Sequence, residues 1–288
     1  MKKIGIIGGS GLYKMEGLTF VKEVSIETPF GTPSAPYSIF TLDGVDAELI
    51  FLPRHGIGHV LNPSEVPYQA NIYGMKTLGV EWIISVSAVG SLREHIEPGH
   101  VVVIDQFIDR TKGRESTFFS CGVVAHVSFG DPVCKVLRQY LVEAAGEAGA
   151  TTHDGGTYVC MEGPAFSTRA ESNLYRSWGA QVIGMTNVPE AKLAREAEIS
   201  YATLAMSTDY DCWHEGHDDV TVEDVIKVVQ ANVALSQSII KKAIPKIVSH
   251  DGPAPESNAL QYAFISDKSK IPAETKKALE PIIGKYFT

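Results

Sequence analysis

With 288 residues, 44% of them hydrophobic and 20% charged, the chain can bury the core of one large α/β domain or two small ones. Its formal charge of −9 argues against a surface built for nucleic acid or anionic lipid, because those need a net basic face. Cys121, Cys134, Cys160 and Cys212 lie far apart with no CxxC pair, which argues against a disulfide framework or a zinc-ligand spacing.

The first apolar run, residues 3–7, meets glycine too early to be a signal-peptide core. No later run reaches membrane length, so a soluble, cytoplasmic protein is expected. Further strand-length runs follow at 47–52, 82–86, 100–104, 157–161, 181–185 and 201–206. Short continuous runs bounded by Gly, Pro or Ser suit strands buried on both faces of a sheet. Between the runs at 100–104 and 157–161, residues 131–148 repeat apolar side chains at three- and four-residue steps, with Asp131 as N-cap and Pro132 at the first helical position. A longer helix is expected from Thr221, with Asp224 as a capping-box-like carboxylate and a stripe of Val222, Val225, Ile226, Val229, Val233 and Ile240. Residues 250–258 read as a loop before a short final helix at 272–283. Strands alternating with helices predict an α/β fold: a single domain with a central mixed, mostly parallel sheet flanked by helices. The domain is expected over 1–249, with 250–288 as a C-terminal extension packing on it.

Most strands run directly into a polar, glycine-rich or charged segment. These are Gly8-Gly9-Ser10-Gly11, Arg54-His55-Gly56, Ser87-Ala88-Val89-Gly90-Ser91, Glu162 to Ser167, Gly184-Met185-Thr186 and Ser207 to Asp211. In a mostly parallel sheet all six emerge on one edge, where open α/β sheets bind ligands. The first loop fits no G-x-G-x-x-G register and no Walker loop, so it reads either as a tight turn or as an anion cradle with the Ser10 hydroxyl. Arg54 at a strand end offers a guanidinium matching phosphate oxygens bidentately. With Ser10, His55, Ser87 and Thr186 it forms a hydroxyl and cationic set suited to one small oxyanion without a metal. His55 and His59 stand four apart, but the glycines between them argue against a helical metal pair.

The base side holds Phe166, Ser167, Asp209 and Asp211. Phe166 offers an aromatic face to a planar ring. Asp209 and Asp211 are expected on one face of a continuing strand, with one of them protonated because like charges resist joint ionisation. A protonated Asp donates to a ring nitrogen while its partner accepts from an exocyclic amine.

Gly-Gly-Ser-Gly-Leu, Arg-His-Gly, Ser-Ala-Val-Gly-Ser-Leu-Arg-Glu, Glu-Gly-Pro-Ala-Phe-Ser, Gly-Met-Thr-Asn-Val-Pro-Glu and Ser-Thr-Asp-Tyr-Asp-Cys-Trp resemble the trimeric purine nucleoside phosphorylase family. Within it they are most similar to the branch acting on 5′-methylthioadenosine. The resemblance runs from about residue 3 to residue 248. It implies phosphate contacts at Ser10, Arg54, His55, Ser87, Thr186 and the Ala88 amide, and purine contacts at Phe166, Ser167, Asp209 and Asp211. Met185 is implied beneath the ribose, Val222, Val225 and His59 at the nucleoside 5′ group, and His126 in a neighbouring subunit's pocket. The implied reaction is phosphorolysis of 5′-methylthioadenosine to adenine and 5-methylthioribose-1-phosphate. Phosphate is then a co-substrate, with no cofactor or metal, in a homotrimer that binds neither nucleic acid nor membrane.

Two positions choose the branch: the 6-oxopurine enzymes carry Glu and Asn where this chain has Ser167 and Asp209. An ionised Asp only accepts hydrogen bonds, and a mismatch with O6 of that kind discriminates by roughly 10⁴. Against this, Gly184 and Asn187 stand where the branch commonly has Asn and Thr, and Gly before Met is more typical of the oxopurine enzymes. A 6-oxopurine or broad-specificity phosphorylase is therefore the alternative, with a hydrolase or an idle nucleoside-binding module as further readings.

Overall fold

In a computed structural model, residues 1–214 and 222–287 are described, apart from the side chains of residues 10, 222–227 and 229. The chain begins β1 (Lys2–Gly8), β2 (Leu18–Val24), β3 (Tyr37–Leu42), β4 (Val45–Pro53), α1 (Tyr68–Thr77) and β5 (Trp82–Ser91). It continues β6 (Val101–Val103), β7 (Gln106–Arg110), α2 (Lys135–Glu147), β8 (Thr152–Asp154), β9 (Thr157–Met161) and α3 (Arg169–Ser177). Then come β10 (Val182–Gly184), α4 (Asn187–Glu196), β11 (Ser200–Asp209), α5 (Val222–Val248), α6 (Ala273–Ala278) and α7 (Glu280–Ile283).

Among the described residues eleven strands join one sheet in the order β2-β3-β4-β1-β5-β10-β9-β7, with β11 on β5 and β6, and β8 on β6. The central strands are apolar throughout because both their faces are covered. Ile4, Ile6, Leu49, Phe51 and Leu204 face α2 and α5, packing with Leu137, Leu141, Ile240 and Ile244. Ile7, Ile50, Leu52 and Tyr201 face the other way, against Ile72 of α1, Ala194 of α4 and Leu260 and Ile282 of the C-terminal segment. Successive strand residues point to opposite faces, so one run supplies two cores.

The mixed sheet was anticipated; the way it gathers its loops differs. β1, β4, β5 and β11 are parallel, but β10 runs antiparallel to β5, with Val182 and Ile183 opposite Ser91 and Gly90. On the side away from β11, β5 is long enough to serve two neighbours: its first half pairs with β1, its last two residues with β10. Because β10 is reversed, its end at Gly184 comes back along β5 towards Ser87. The loops meet around the second half of one strand, not along an edge of parallel strand ends.

Helix α2 starts at Lys135, with Cys134 as N-cap and its Sγ accepting from the Leu137 N–H; the expected Asp131–Pro132 start is lead-in loop, where Asp131 instead pairs with Lys135 at 2.9 Å. Thr221 and the stripe side chains Val222, Val225, Ile226 and Val229, with Asp224, lie outside the described residues. The final helix is two short ones, α6 and α7, the second with Pro281 in its first turn. The C-terminal segment is pinned to the rest where Glu198 accepts from the Leu260 N–H and pairs with Lys285. Among the described residues no helix is long and apolar enough to cross a membrane.

Candidate active site

Arg54 follows β4 and is almost wholly buried, so its charge needs a partner. Glu190, in the first turn of α4, supplies it: Nε donates to Oε2 at 2.6 Å and Nη2 to Oε1 at 2.9 Å. Nη2 also donates to Ser85 Oγ at 2.6 Å, and Nη1 to the Val86 carbonyl at 3.0 Å. Burial works against the guanidinium charge and Glu190 outweighs it, so the pKa rises. The sequence places this fork on phosphate; the structure places it on Glu190. Of the five guanidinium N–H groups, one on Nη1 is left for an anion among the described residues.

Beneath this pair lies a closed polar network. Glu190 also accepts from Ser85 Oγ and the Tyr201 hydroxyl, at 3.1 and 3.2 Å. Asn187, one of the departures from the branch pattern, donates to Ser85, Tyr201 and Thr203. Its amide thus turns into the sheet and away from the cleft.

His55 places Nδ1 2.8 Å from the Leu61 carbonyl, which can only accept, so Nδ1 carries the proton and Nε2 keeps its lone pair. Burial, then Arg54, lowers its pKa to about 4, and the ring is neutral at pH 7. His59 stacks on it at 4.3 Å, giving parallel rings and not two ligands closing on one metal. Among the described residues no group of three or more His, Cys, Asp or Glu is arranged to hold a metal ion. Ser87 and Thr186 are buried and Ala88 is exposed. Thr186 is the N-cap of α4, where backbone N–H groups favour negative charge. Ser10 begins a 3-10 turn joined to this end through the Arg54 N–H, which donates to the Gly8 carbonyl at 3.0 Å; the Ser10 side chain lies outside the described residues.

The acids gather farther along β5. Asp209 ends β11 at a bulge opposite Gly90, where an added Cβ would sit 3.0 Å from Asp209 Oδ1. Asp209 Oδ2 accepts from Thr208 Oγ1 at 2.6 Å and Oδ1 from the Asp211 N–H at 2.7 Å. The expected continuing strand is corrected here. The strand stops at Asp209, and Asp211 adopts a left-handed φ of 54° at the start of a 3-10 turn. Its amide therefore doubles back to grip Asp209. Trp213 anchors the turn by donating to the Ser91 carbonyl at 2.7 Å. Burial raises the pKa of both acids, and Asp211 Oδ2 is buried without a partner among the described residues.

Ser167 is tied to the same turn, since its carbonyl accepts from Cys212 Sγ. A capping box between Thr168 and Glu171 starts α3 directly after it and fixes the loop's exit. Phe166 is 57% exposed, an aromatic face without a cover. The Met185 carbonyl is held by Arg114, whose buried guanidinium also reaches the Glu162 carbonyl. His126 stands apart: it is exposed, its N–H donates to the Ala263 carbonyl, and among the described residues no hydrogen bond or ring contact joins it to this group. Val222 and Val225 fall in α5, with side chains outside the described residues.

From Val86, which meets Arg54, to Gly90, which meets Asp209, four strand residues span about 13 Å. That length suits an anion at one end and a purine at the other, with a sugar between. Glu190, Ser85, Arg114 and Tyr158 were not foreseen; for Ser85 the sequence signal is a polar residue inside an apolar strand run, and Arg114, in a charged loop, carries none.

The sequence model of the phosphorylase superfamily matches residues 3–245. The chain is 63% identical to the S-methyl-5′-thioadenosine phosphorylase of Geobacter sulfurreducens, over 98% of each chain. It is 55% identical to that of Thermosynechococcus vestitus, over 99% of each. Among solved structures it is similar to a methylthioadenosine phosphorylase from an Antarctic soil metagenomic library, with TM-score 0.93 and 50% identity over 98% of each chain. It is also similar to a mutant adenosine/methylthioadenosine phosphorylase from Schistosoma mansoni in complex with methylthioadenosine, with TM-score 0.81 and 37% identity over 87% of this chain and 93% of that one.

Proposed function

The chain belongs to the phosphorylase superfamily, and from that premise we propose that it cleaves 5′-methylthioadenosine with phosphate, giving adenine and 5-methylthioribose-1-phosphate. The observation that carries the reading is the pairing, along one half of β5, of a buried cationic and hydroxyl end with two half-buried acids of raised pKa.

In this scheme phosphate lies at Ser87, the Ala88 amide, Thr186, Ser10 and His55, with one N–H from Arg54. Glu190 keeps Arg54 from neutralising the anion fully, so phosphate retains charge to face an oxocarbenium-like sugar. Met185 lies under that sugar. Phe166 and Ser167 hold the base. Asp209, with its raised pKa, donates a proton to purine N7 and draws charge off the leaving group. The unpartnered Asp211 Oδ2 accepts from the amine on C6; a 6-oxopurine would set oxygen against oxygen there. Phosphate is itself the nucleophile, so the reaction takes no cofactor. Gly184, which favours the oxopurine alternative, adjoins Tyr158 at the anion end and has no bearing on C6.

The same reading gives Val222, Val225 and His59 to the 5′ group, and His126 to a neighbouring subunit of a cytoplasmic homotrimer. It takes 1–249 as the catalytic domain and 250–288 as its extension. The test is adenine or hypoxanthine release from 5′-methylthioadenosine, adenosine and inosine, with and without phosphate. The highest kcat/KM is expected for 5′-methylthioadenosine, with no release when phosphate is withheld. Faster cleavage of inosine, or release without phosphate, would overturn the reading.

A further inference from the structure

Tyr158 borders the anion end and the reaction scheme leaves it unused. It lies on β9, fully buried, with its ring edge-on to Phe107 at 5.7 Å. Its hydroxyl is 3.3 Å from Ser87 Oγ. Burial raises the phenol pKa, so the oxygen keeps its proton. A buried phenol O–H needs an acceptor, and among the described residues Ser87 Oγ is the one within hydrogen-bond reach. Ser87 then receives a hydrogen from Tyr158, and its own proton is left to aim elsewhere. The Ala88 carbonyl at 3.3 Å is a weak alternative for that proton, whereas an oxyanion is a strong one.

Gly184 makes this arrangement possible. A Cβ at that position would fall 1.9 Å from the Tyr158 hydroxyl oxygen and 2.5 Å from Cζ. Any side chain there would expel the hydroxyl. The small residue that departs from the branch pattern and the buried tyrosine are thus two halves of one device.

We propose that Tyr158 is a positioning residue for phosphate: in the room Gly184 leaves, its hydroxyl donates to Ser87 and sets the serine as a donor to the anion. Such a chain of hydrogen bonds polarises each member in the same sense. The proposal rests on the placement of phosphate at Ser87, and its test separates the two claims.

KM for phosphate and for nucleoside are measured in Tyr158→Phe, Phe107→Leu and Ser87→Ala. Tyr158→Phe removes one oxygen and is expected to raise the phosphate KM about five-fold, the effect of one neutral hydrogen bond, while the nucleoside KM stays in place. Phe107→Leu loosens the ring and keeps the hydroxyl, so it lowers Tm and leaves both constants alone. An unchanged phosphate KM in Tyr158→Phe, with Ser87→Ala raising it, overturns the role of Tyr158 and keeps the phosphate site. An equal rise in Phe107→Leu and Tyr158→Phe also overturns it, by showing that packing is responsible. Ser87→Ala without effect on phosphate removes the site and the proposal together.

Discussion

At the Arg54 end of the cleft the buried polar groups are met by other parts of the protein. Guanidinium faces carboxylate, and Ser85, Asn187, Tyr201 and Thr203 close the network around them. At the Asp209 end two acids lie close together against Gly90, each with a pKa raised by burial, and one oxygen of Asp211 has no partner among the described residues. In the first region all but one of the guanidinium N–H groups are met by the protein itself; in the second a carboxylate oxygen is left for a ligand. Residues of the anion end should therefore matter first to the fold, and residues of the base end first to the reaction.

The hardest test of that division is Glu190→Gln. It leaves the Arg54 charge buried without its counter-charge, and removing one partner of such a pair costs about 3–5 kcal/mol. Urea unfolding should show a loss of that size, together with a weaker grip on phosphate as Arg54 shifts. A stability change of less than about 1 kcal/mol, the scale of an exposed pair, would mean that the network is not holding the fold.

Asp209→Asn should do the reverse, with stability preserved and catalysis lost. Removing a positioned general acid lowers kcat/KM for 5′-methylthioadenosine by about 10²-fold, and inosine should suffer less. Steady-state rates on both nucleosides check this. An unchanged ratio between them would take Asp209 away from the base.

The same contrast explains what the sequence makes legible. Central strands are readable because burial on both faces leaves unbroken apolar runs, and β9 falls on its expected bounds. β2 carries Lys and Glu on a mostly exposed edge, and α1 is buried nearly all round, so neither has the run or the stripe that marks its class. Site loops are readable wherever an apolar run ends in Gly, Ser or a charge. What fills each loop's needs is not. Glu190 meets Arg54 across 136 residues, and Tyr158 reads as one more strand aromatic until Gly184 is seen beside it. The turn at Asp211 escapes for a local reason: Asp tolerates the left-handed region better than most residues, but Asp-Tyr-Asp-Cys-Trp holds no glycine to mark which residue adopts it.

The finest test of the unfinished end is the pH dependence of stability in Asp211→Asn. Burial raises the Asp211 pKa in the folded chain, outweighing Ser172 and the Cys212 N–H, which lower it, with Asp209 and Glu171 adding to the rise. Folding then favours the protonated acid. Its stabilising contribution is present below the ordinary carboxyl value of about 4 and is lost as pH rises through the raised value. At neutral pH the ionised carboxylate opposes folding, and Asn, which cannot ionise, escapes that cost. The variant should therefore gain on the wild type as pH rises, by about 1.4 kcal/mol for each unit by which burial raises the pKa, and the gain should vanish in acid. Adenine added to the wild type should narrow the difference, because its amine gives Asp211 Oδ2 the donor it lacks. Melting curves from pH 4 to 8, with and without adenine, measure both effects. A difference independent of pH would mean that Asp211 carries no strain for the base to relieve, and the contrast between the two ends would fail at its weaker side.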